Sequence, residues 1–431
     1  TNVSDENLLS LGKHEQLLGK SSGFSSTEGI MNGEPFQKFR SLFRLAPCFL
    51  LNGEQIQPLK EPGEFYNQLK VHILSAKERI FLAALYIGSN EKDLVETIRT
   101  AVKRSKQLKV HLLLDCLRST RADHDASESP ANLLAMLVKE FPDQPVTEFE
   151  EHDKPYELVL PQFPDPVTES HLFRKCAASA MKEFIGKWTN NHEFQVIQRQ
   201  KNSEERKNEQ NNSLDTIIFP VVQMGPFAIR QDESATLYVL DAITKYGNQR
   251  DNDGEQVFFA SGYFNFTQKF KDKILNAATK LSVLAASPEA NGFFRSKGMS
   301  KHLPQAYTLI EKQFYYDILK HGKSHLVTIE EYKRPNWTFH AKGLWYYMSA
   351  QQWPSLTIIG SSNYGYRSTE RDLEAQAILI TTNEVLRKAI HEELQHLREN
   401  TVTITSETFQ QVDRKVPFLV RIATKFIKTM L

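Results

Sequence analysis

The residues best suited to chemistry lie near position 340. Trp337–Met348 reads WTFHAKGLWYYM; in a strand His340 and Lys342 share a face, because side chains alternate with a period of two. A loop, Ser349–Pro354, leads to a second strand ending in Gly360-Ser361-Ser362-Asn363. Pairing across that hairpin brings Ser361 and Asn363 beside the His/Lys pair, and Glu374 follows at the start of a third strand. Such a set suits a phosphodiester. A histidine attacks phosphorus or moves a proton at an oxygen. A lysine sets positive charge against the non-bridging oxygens. Asparagine and serine donate hydrogen bonds to the same atoms, and Gly360 lets backbone approach them. A carboxylate such as Glu374 can orient a histidine and hold its tautomer. The scheme needs no metal and no cofactor, and no GxxxxGK[ST] phosphate loop occurs.

His-x-Lys by itself says little. It occurs at His152–Lys154, His321–Lys323 and His340–Lys342, but only the last is followed by GSxN at hairpin distance.

The elements that must position these residues follow from the apolar pattern. Arg79–Ile87 (RIFLAALYI) and Lys109–Leu114 (KVHLLL) are continuous apolar runs, as expected of strands buried on both faces. Between them Glu91–Gln107 puts Leu94, Ile98, Ala101 and Val102 on one helical face. This βαβ pattern recurs in Gln256–Ala260, Thr267–Ala278 (with Phe270, Ile274 and Ala278 on one face) and Leu281–Ala286. It predicts a duplicated α/β protein, each copy a mainly parallel sheet flanked by helices; one large sheet holding both βαβ units is the alternative. The second copy continues through a helix at Leu303–Leu319, strands at Leu326–Tyr332, Trp337–Met348, Ser355–Gly360 and Glu374–Ile380, and a helix at Glu384–Arg398. The expected division is an N-terminal extension (1–44), a first half (45–197), a polar linker (198–215), a second half (216–400) and a tail (401–431). In the tail, Arg421, Lys425 and Lys428 fall on one face of a helix whose remaining surface is largely apolar. That pattern fits either a helix lying in an anionic membrane surface or one docked on its own domain.

Composition narrows the classes. The 431 residues allow two to four domains, and 53 basic against 52 acidic side chains leave a net charge of +1, which argues against a nucleic-acid partner. Cys48, Cys116 and Cys176 are too few for a disulfide framework or a cysteine-rich zinc site. Residues 1–44 lack the apolar core of a signal peptide. Their acids, Asp5, Glu6, Glu15, Glu28 and Glu34, argue against a transit peptide.

The HxK–GSxN pair is the signature of the phospholipase D superfamily, whose motif carries an Asp five residues after the Lys; here that position is Tyr347. More narrowly, Gln223–Phe227, Ser261–Asn265, Ala286–Phe294, Trp337–Trp345, Ile359–Ser368 and Arg371–Gln376 resemble the eukaryotic phosphatidylglycerophosphate synthases, as do Leu82–Gly88 and Leu112–Arg121. The resemblance covers about residues 46–144 and 212–431, and members of this family also tend to lack the Asp in the second motif. It implies two phospholipase D-like halves and transfer of a phosphatidyl group from CDP-diacylglycerol to glycerol 3-phosphate. It further implies a mitochondrial, membrane-associated setting in phosphatidylglycerol and cardiolipin synthesis. By resemblance, the first-half His forms a covalent phospho-enzyme and the second-half His is the general acid/base.

The first-half motif is missing. It is expected after the helix Ala131–Phe141, yet the chain runs directly into Pro145–Leu160 (PVTEFEEHDKPYELVL). His152–Lys154 has Val159 in place of the Asp and no GSxN behind it, and reads as a chance match. A segment of several tens of residues lost around Gln144–Pro145 accounts for this. Three readings follow: a phosphatidyltransferase by descent, impaired in this form; a hydrolytic phosphodiesterase of the same superfamily; or a protein that keeps the fold and binds lipid or a partner without turnover. A homodimer would be one way to bring two second-half motifs together.

Overall fold

Alternating buried strands and amphipathic helices form where the apolar pattern places them. The computed structural model describes residues 33–84, 87–88, 91–114, 134, 137, 139–141, 146–149, 169–189, 195–196, 214–245, 254–349 and 351–430. The chain divides into a large unit, Thr1–Pro58 with Ala177–Leu431, and a small unit, Leu59–Cys176.

In chain order the large unit opens with α1 (Glu34–Lys38) and β1 (Phe49–Leu51). The small unit carries α2 (Pro62–Ser75), β2 (Arg79–Ala84), α3 (Lys92–Arg104), β3 (Lys109–Leu114) and β4 (Val146–Phe149). A helix, α4 (Ser170–Thr189), runs on into the large unit, which continues with β5 (Gln195–Val196), β6 (Thr216–Met224), β7 (Ile229–Arg230), α5 (Gln231–Lys245), β8 (Gln256–Ser261), α6 (Gln268–Leu275) and β9 (Lys280–Ala286). It closes with α7 (Leu303–Lys320), β10 (Val327–Tyr332), β11 (Lys342–Tyr347), β12 (Leu356–Gly360), α8 (Tyr366–Glu370), β13 (Leu373–Thr381), α9 (Glu384–Arg398), β14 (Thr401–Thr403) and α10 (Phe418–Ile427).

The small unit is a parallel sheet, β2–β3–β4, joined between its first two strands by α3. Leu94, Ile98, Ala101 and Val102 of α3 are buried, the face expected of it. The large sheet has the order β14–β10–β9–β8–β11–β12–β13–β6–β1–β5, with β7 on β6. Its triplet β8–β9–β10 is parallel, with α6 and α7 as crossovers, and so repeats the arrangement of the small unit. From β8 through β11, β12, β13 and β6 every pairing is antiparallel, so the sheet is mixed.

Both faces of the large sheet are covered, and the period of two decides which residue goes where. Leu344 and Tyr346 of β11 join Val257 and Phe259 of β8 and Phe314 of α7 in one core. Trp345 and Tyr347 join Phe258 and Ala260 of β8 and Leu386 of α9 in the other. Each such side chain contributes about 1.5–3 kcal/mol on burial.

Three expectations change. Trp337–Met348 was expected as one strand, but β11 begins only at Lys342. Asn336 has a φ of 64° and the Phe339 N–H donates to the Ala290 carbonyl at 2.8 Å, so Trp337–Ala341 is tied to a loop instead of a strand. Residues 33–44 belong to the fold, not to an extension: Phe36, Phe39 and Leu42 are buried in the larger core. The tail is also part of the large unit, with β14 paired to β10. The polar linker up to residue 213, Gln144–Pro145 and His152–Lys154 lie outside the described residues.

An ion pair ties α1 to the sheet. Lys38 Nζ meets Glu255 Oε1 at 2.6 Å with side chains 9% and 5% exposed. The Tyr346 hydroxyl donates to the same oxygen at 2.6 Å. Removing one partner leaves a buried charge unmatched, which costs about 3–5 kcal/mol. Lys38→Met is therefore expected to lower stability by about that amount in urea unfolding, and Lys38→Met/Glu255→Gln to recover a large part of it. No loss in the single variant would place α1 outside the cooperative core.

Candidate active site

The site sits where several strand ends meet. Lys342, the first residue of β11, lies across from Ser261, the last of β8. Leu344 pairs with Ile358, which sets Lys342 level with Gly360 at the end of β12. Gly360 pairs with Gln376 of β13, and Glu374 with Gln223 of β6. One end of the antiparallel set thus gathers His340, Lys342, Gly360–Asn363 and Glu374, as the hairpin spacing predicts.

His340 stands on the segment just before β11. Phe339, buried and stacked on Tyr332 at 5.0 Å, anchors it. The His340 ring meets the Tyr263 ring edge-on at 4.9 Å, and Tyr263 stacks on Tyr307 at 5.5 Å. Gly262 is needed here: a Cβ would lie 2.8 Å from His340 Cα and 3.1 Å from its Cδ2. Lys342 Nζ donates to the His340 carbonyl at 2.7 Å, a bond that fixes the two residues relative to each other.

The GSxN turn is held from behind. The Asn363 carbonyl accepts from Ser261 Oγ at 3.0 Å, its Oδ1 accepts from the Tyr263 N–H at 3.3 Å, and its N–H donates to Ser368 Oγ at 3.1 Å. These bonds orient the amide and leave its Nδ2 as a donor with no partner among the described residues. Ser361 is committed differently: its N–H donates to the Ala375 carbonyl at 3.1 Å and its Oγ accepts from the Ala375 N–H at 3.2 Å. At Gly360 a Cβ would lie 2.5 Å from the Ala375 carbonyl oxygen, so what approaches this glycine is β13.

Glu374 is buried and hydrogen-bonded by Ser361 and Ser368, and its charge acts on Lys342. The expectation that it orients a histidine is not met by His340, with which it shares no hydrogen bond. Tyr347 lies five residues along β11 from Lys342, roughly 17 Å at strand rise, and on the opposite face. Its hydroxyl is bonded to His391 Nδ1 at 2.8 Å. An Asp at this position would be remote from His340 and Lys342.

Burial sets the protonation states. His340 is pushed down to about 4, by desolvation and then by the Lys342 charge. Although solvent reaches its ring, protein crowds it on several sides, and at neutral pH the imidazole is neutral. Lys342 is pushed down to about 7 by burial, against the pull of Glu374. Glu374 is raised by burial, against hydrogen bonds from Ser361 and Ser368. Behind it Asp232 of α5 is raised to about 6 by burial, and the charge of Glu374 adds to this. Asp232 accepts from Gln376 and, at 3.0 Å, from Thr236; the Tyr364 hydroxyl donates to Gln376 Oε1 at 2.9 Å.

Tyr263, Tyr307, Ser368, Gln376 and Asp232 were not singled out by sequence reasoning. Ser368 lies five residues beyond Asn363 and Tyr263 two beyond Ser261, so their motifs held a signal. Asp232 and Tyr307 arrive from distant helices and carried none.

An imidazole, a lysine and an amide donor gathered at one set of strand ends suit chemistry on a phosphodiester. The fold is shared with a phosphatidylserine synthase of Haemophilus influenzae Rd KW20: TM-score 0.67 and 15% identity, over 93% of this chain and all of that one. No protein-family model matches the chain. The chain is 31% identical to the probable CDP-diacylglycerol–glycerol-3-phosphate 3-phosphatidyltransferase of Dictyostelium discoideum, over 95% of its own length and 84% of the relative's. It is 29% identical to the mitochondrial enzyme of that name from Homo sapiens, over 92% of this chain and 86% of that one. The Saccharomyces cerevisiae enzyme is 30% identical, over 89% of each chain. The chain belongs to the CDP-diacylglycerol–glycerol-3-phosphate 3-phosphatidyltransferase family. The Dictyostelium alignment runs over 500 positions but uses 95% of 431 residues, about 410, so about 90 of its positions face nothing in this chain.

The depressed Lys342 has a signed consequence. A lysine at about 7 when folded and about 10.4 when unfolded opposes folding fully below pH 7, and this opposition fades as pH rises toward 10.4. Lys342→Met is expected to raise Tm at pH 7, with the gain shrinking by pH 10. A variant that melts lower than the parent at pH 7 would contradict the assigned environment.

Proposed function

We propose that this site serves transfer of a phosphatidyl group from CDP-diacylglycerol to glycerol 3-phosphate, giving phosphatidylglycerophosphate and CMP. The setting is the mitochondrion, as the human relative's name has it, and the product feeds phosphatidylglycerol and cardiolipin synthesis. The observation that carries this reading is the neutral His340 fixed beside Lys342, in a chain of this family. A nucleophile attacks the phosphatidyl phosphorus, the P–O bond to CMP breaks, and CMP leaves with the electron pair. The hydroxyl of glycerol 3-phosphate then attacks the same phosphorus, gives up its proton and releases the nucleophile. His340, neutral at working pH, accepts that proton. Lys342 and the Asn363 amide hold the non-bridging oxygens. Ser361, just past β12, and Glu374, on β13, brace this arrangement.

One histidine cannot stand on both sides of phosphorus at once, so the chain holds one half of a two-histidine site. The missing first motif, together with the unmatched alignment positions, favours a second reading: a lipid-binding form with little turnover. A homodimer that places two such half-sites face to face would restore turnover, with a rate rising as the square of protein concentration when dilute.

The test uses CDP-diacylglycerol labelled in the phosphatidyl phosphorus, with thin-layer separation of products. Label should move to phosphatidylglycerophosphate only when glycerol 3-phosphate is present, and His340→Ala should lower that transfer by about 10²–10⁴-fold while melting as the parent does. Label released equally with and without glycerol 3-phosphate would make the protein a hydrolase, and near-parental transfer by the variant would remove His340 from the mechanism.

A further inference from the structure

The tail helix α10 is docked by a narrow stripe. Val420 and Thr424 are buried, and Val416 and Val420 pack on Ala306 of α7. Just past the helix, the Lys428 carbonyl accepts from Asn265 Nδ2 at 2.6 Å. At 3.6 residues per turn the stripe next to this one is apolar and open: Phe418 is 74% exposed, Leu419 77%, Phe426 77% and Met430 53%. The third sector carries Arg421, Lys425 and Lys428. A helix with its docking face already satisfied has no folding reason to present four large apolar side chains to water.

This helix lies close to the site. Asn265 is two residues from the Tyr263 that packs on His340, and Ala306 adjoins the Tyr307 that stacks on Tyr263. The segment leading into α7 repeats the same chemistry: Met299 is 83% and Phe294 40% exposed, in a stretch that also exposes Arg295, Lys297 and Lys301.

A second, independent feature lies under the tail. Lys271, a residue only 4% exposed, feels the positive charge of Lys428. Among the described residues no carboxylate comes within 4.0 Å of either, and Asp317 acts on Lys271 only at longer range. Lys271 stands over the Phe314 ring at 5.6 Å and Lys428 over the Tyr366 ring at 5.9 Å. Neither lysine has a carboxylate beside it, so positive charge collects where the tail meets the domain.

We propose that α10 and the 3-10 turn Gly298–His302 form the membrane-docking face of this protein, with α10 lying in the headgroup region of an anionic phospholipid bilayer and Arg421, Lys425 and Lys428 meeting lipid phosphates. An apolar stripe edged by cations matches an interface in which acyl chains lie beneath anionic headgroups. A bilayer is favoured over a protein partner because the proposed substrate is itself a lipid that stays in the bilayer, so the His340 site must be held against that surface. In this respect the inference rests on the proposed function. No described helix is long and apolar enough to cross a membrane.

The test is flotation of the full chain with vesicles of phosphatidylcholine alone and with added phosphatidylglycerol. Binding should favour the anionic vesicles. Phe418→Ser/Leu419→Ser/Phe426→Ser should weaken it by roughly tenfold or more with little change in melting, since these side chains are mostly in water already. Lys425→Gln/Lys301→Gln should weaken it by about thirtyfold, from about 1 kcal/mol per charge. Phe426→Trp should show tryptophan fluorescence quenched by nitroxide-labelled lipid. Unchanged flotation of the triple variant, or no quenching, would overturn the docking face. Stabilisation by inorganic phosphate without vesicle binding would overturn it in favour of a soluble-anion site. His340→Ala should float as the parent does. Absence of transfer by the parent chain, with its flotation intact, counts against the proposed function alone.

Discussion

The antiparallel insertion of β11 between β8 and β12 is the constraint on which the rest depends. A parallel β11 would begin at the far end of β8 and carry Lys342 away from Ser261. Running antiparallel, it starts where β8 and β12 end, so one pairing register delivers His340, Lys342 and Asn363 to the same place. Gly262 makes the register usable by leaving room for His340 against the turn after β8. A slip by one residue would exchange the two faces of β11 and drive Trp345 and Tyr347 into the core built around Leu344 and Tyr346.

The same architecture explains the charge states. Protein packed around the strand ends displaces four ionisable groups there toward their neutral forms. Lys342 and His340 move down, and Glu374 and Asp232 move up. A site tuned in this way is costly to the fold and gains its return only when an anion enters, because a phosphate restores the Lys342 charge. Perturbed groups of both signs within one strand-end cluster are what acid–base chemistry at neutral pH needs.

A large part of the fold was legible because helix and strand leave different periods. Lys109–Leu114 and Glu384–Arg398 form as the pattern predicts, the buried face of α3 is the expected one, and Phe270 and Ile274 of α6 are buried as expected. The pairing of HxK with GSxN was legible because hairpin spacing fixes it. Other features depend on contacts that spacing does not encode. His340 precedes its strand because Phe339 is pulled to Ala290, some fifty residues away in the chain. Glu374 turns to Ser361 and Ser368, a choice made by the packing of β12 on β13. Phe36 and Phe39 look like part of a polar extension until the core that receives them is in place.

The central claim is that this chain carries one competent half of a site that needs two histidines. Its most direct test restores the other half. A segment bearing HxKxxxxD and a GSxN-like turn, placed between Gln144 and Pro145, would be compared with the chain as it stands at matched concentration in one detergent. The account predicts that phosphatidyl transfer to glycerol 3-phosphate rises by orders of magnitude, and that the gain disappears when the introduced histidine is changed to alanine. Equal rates with and without the segment would contradict it and place the second histidine elsewhere.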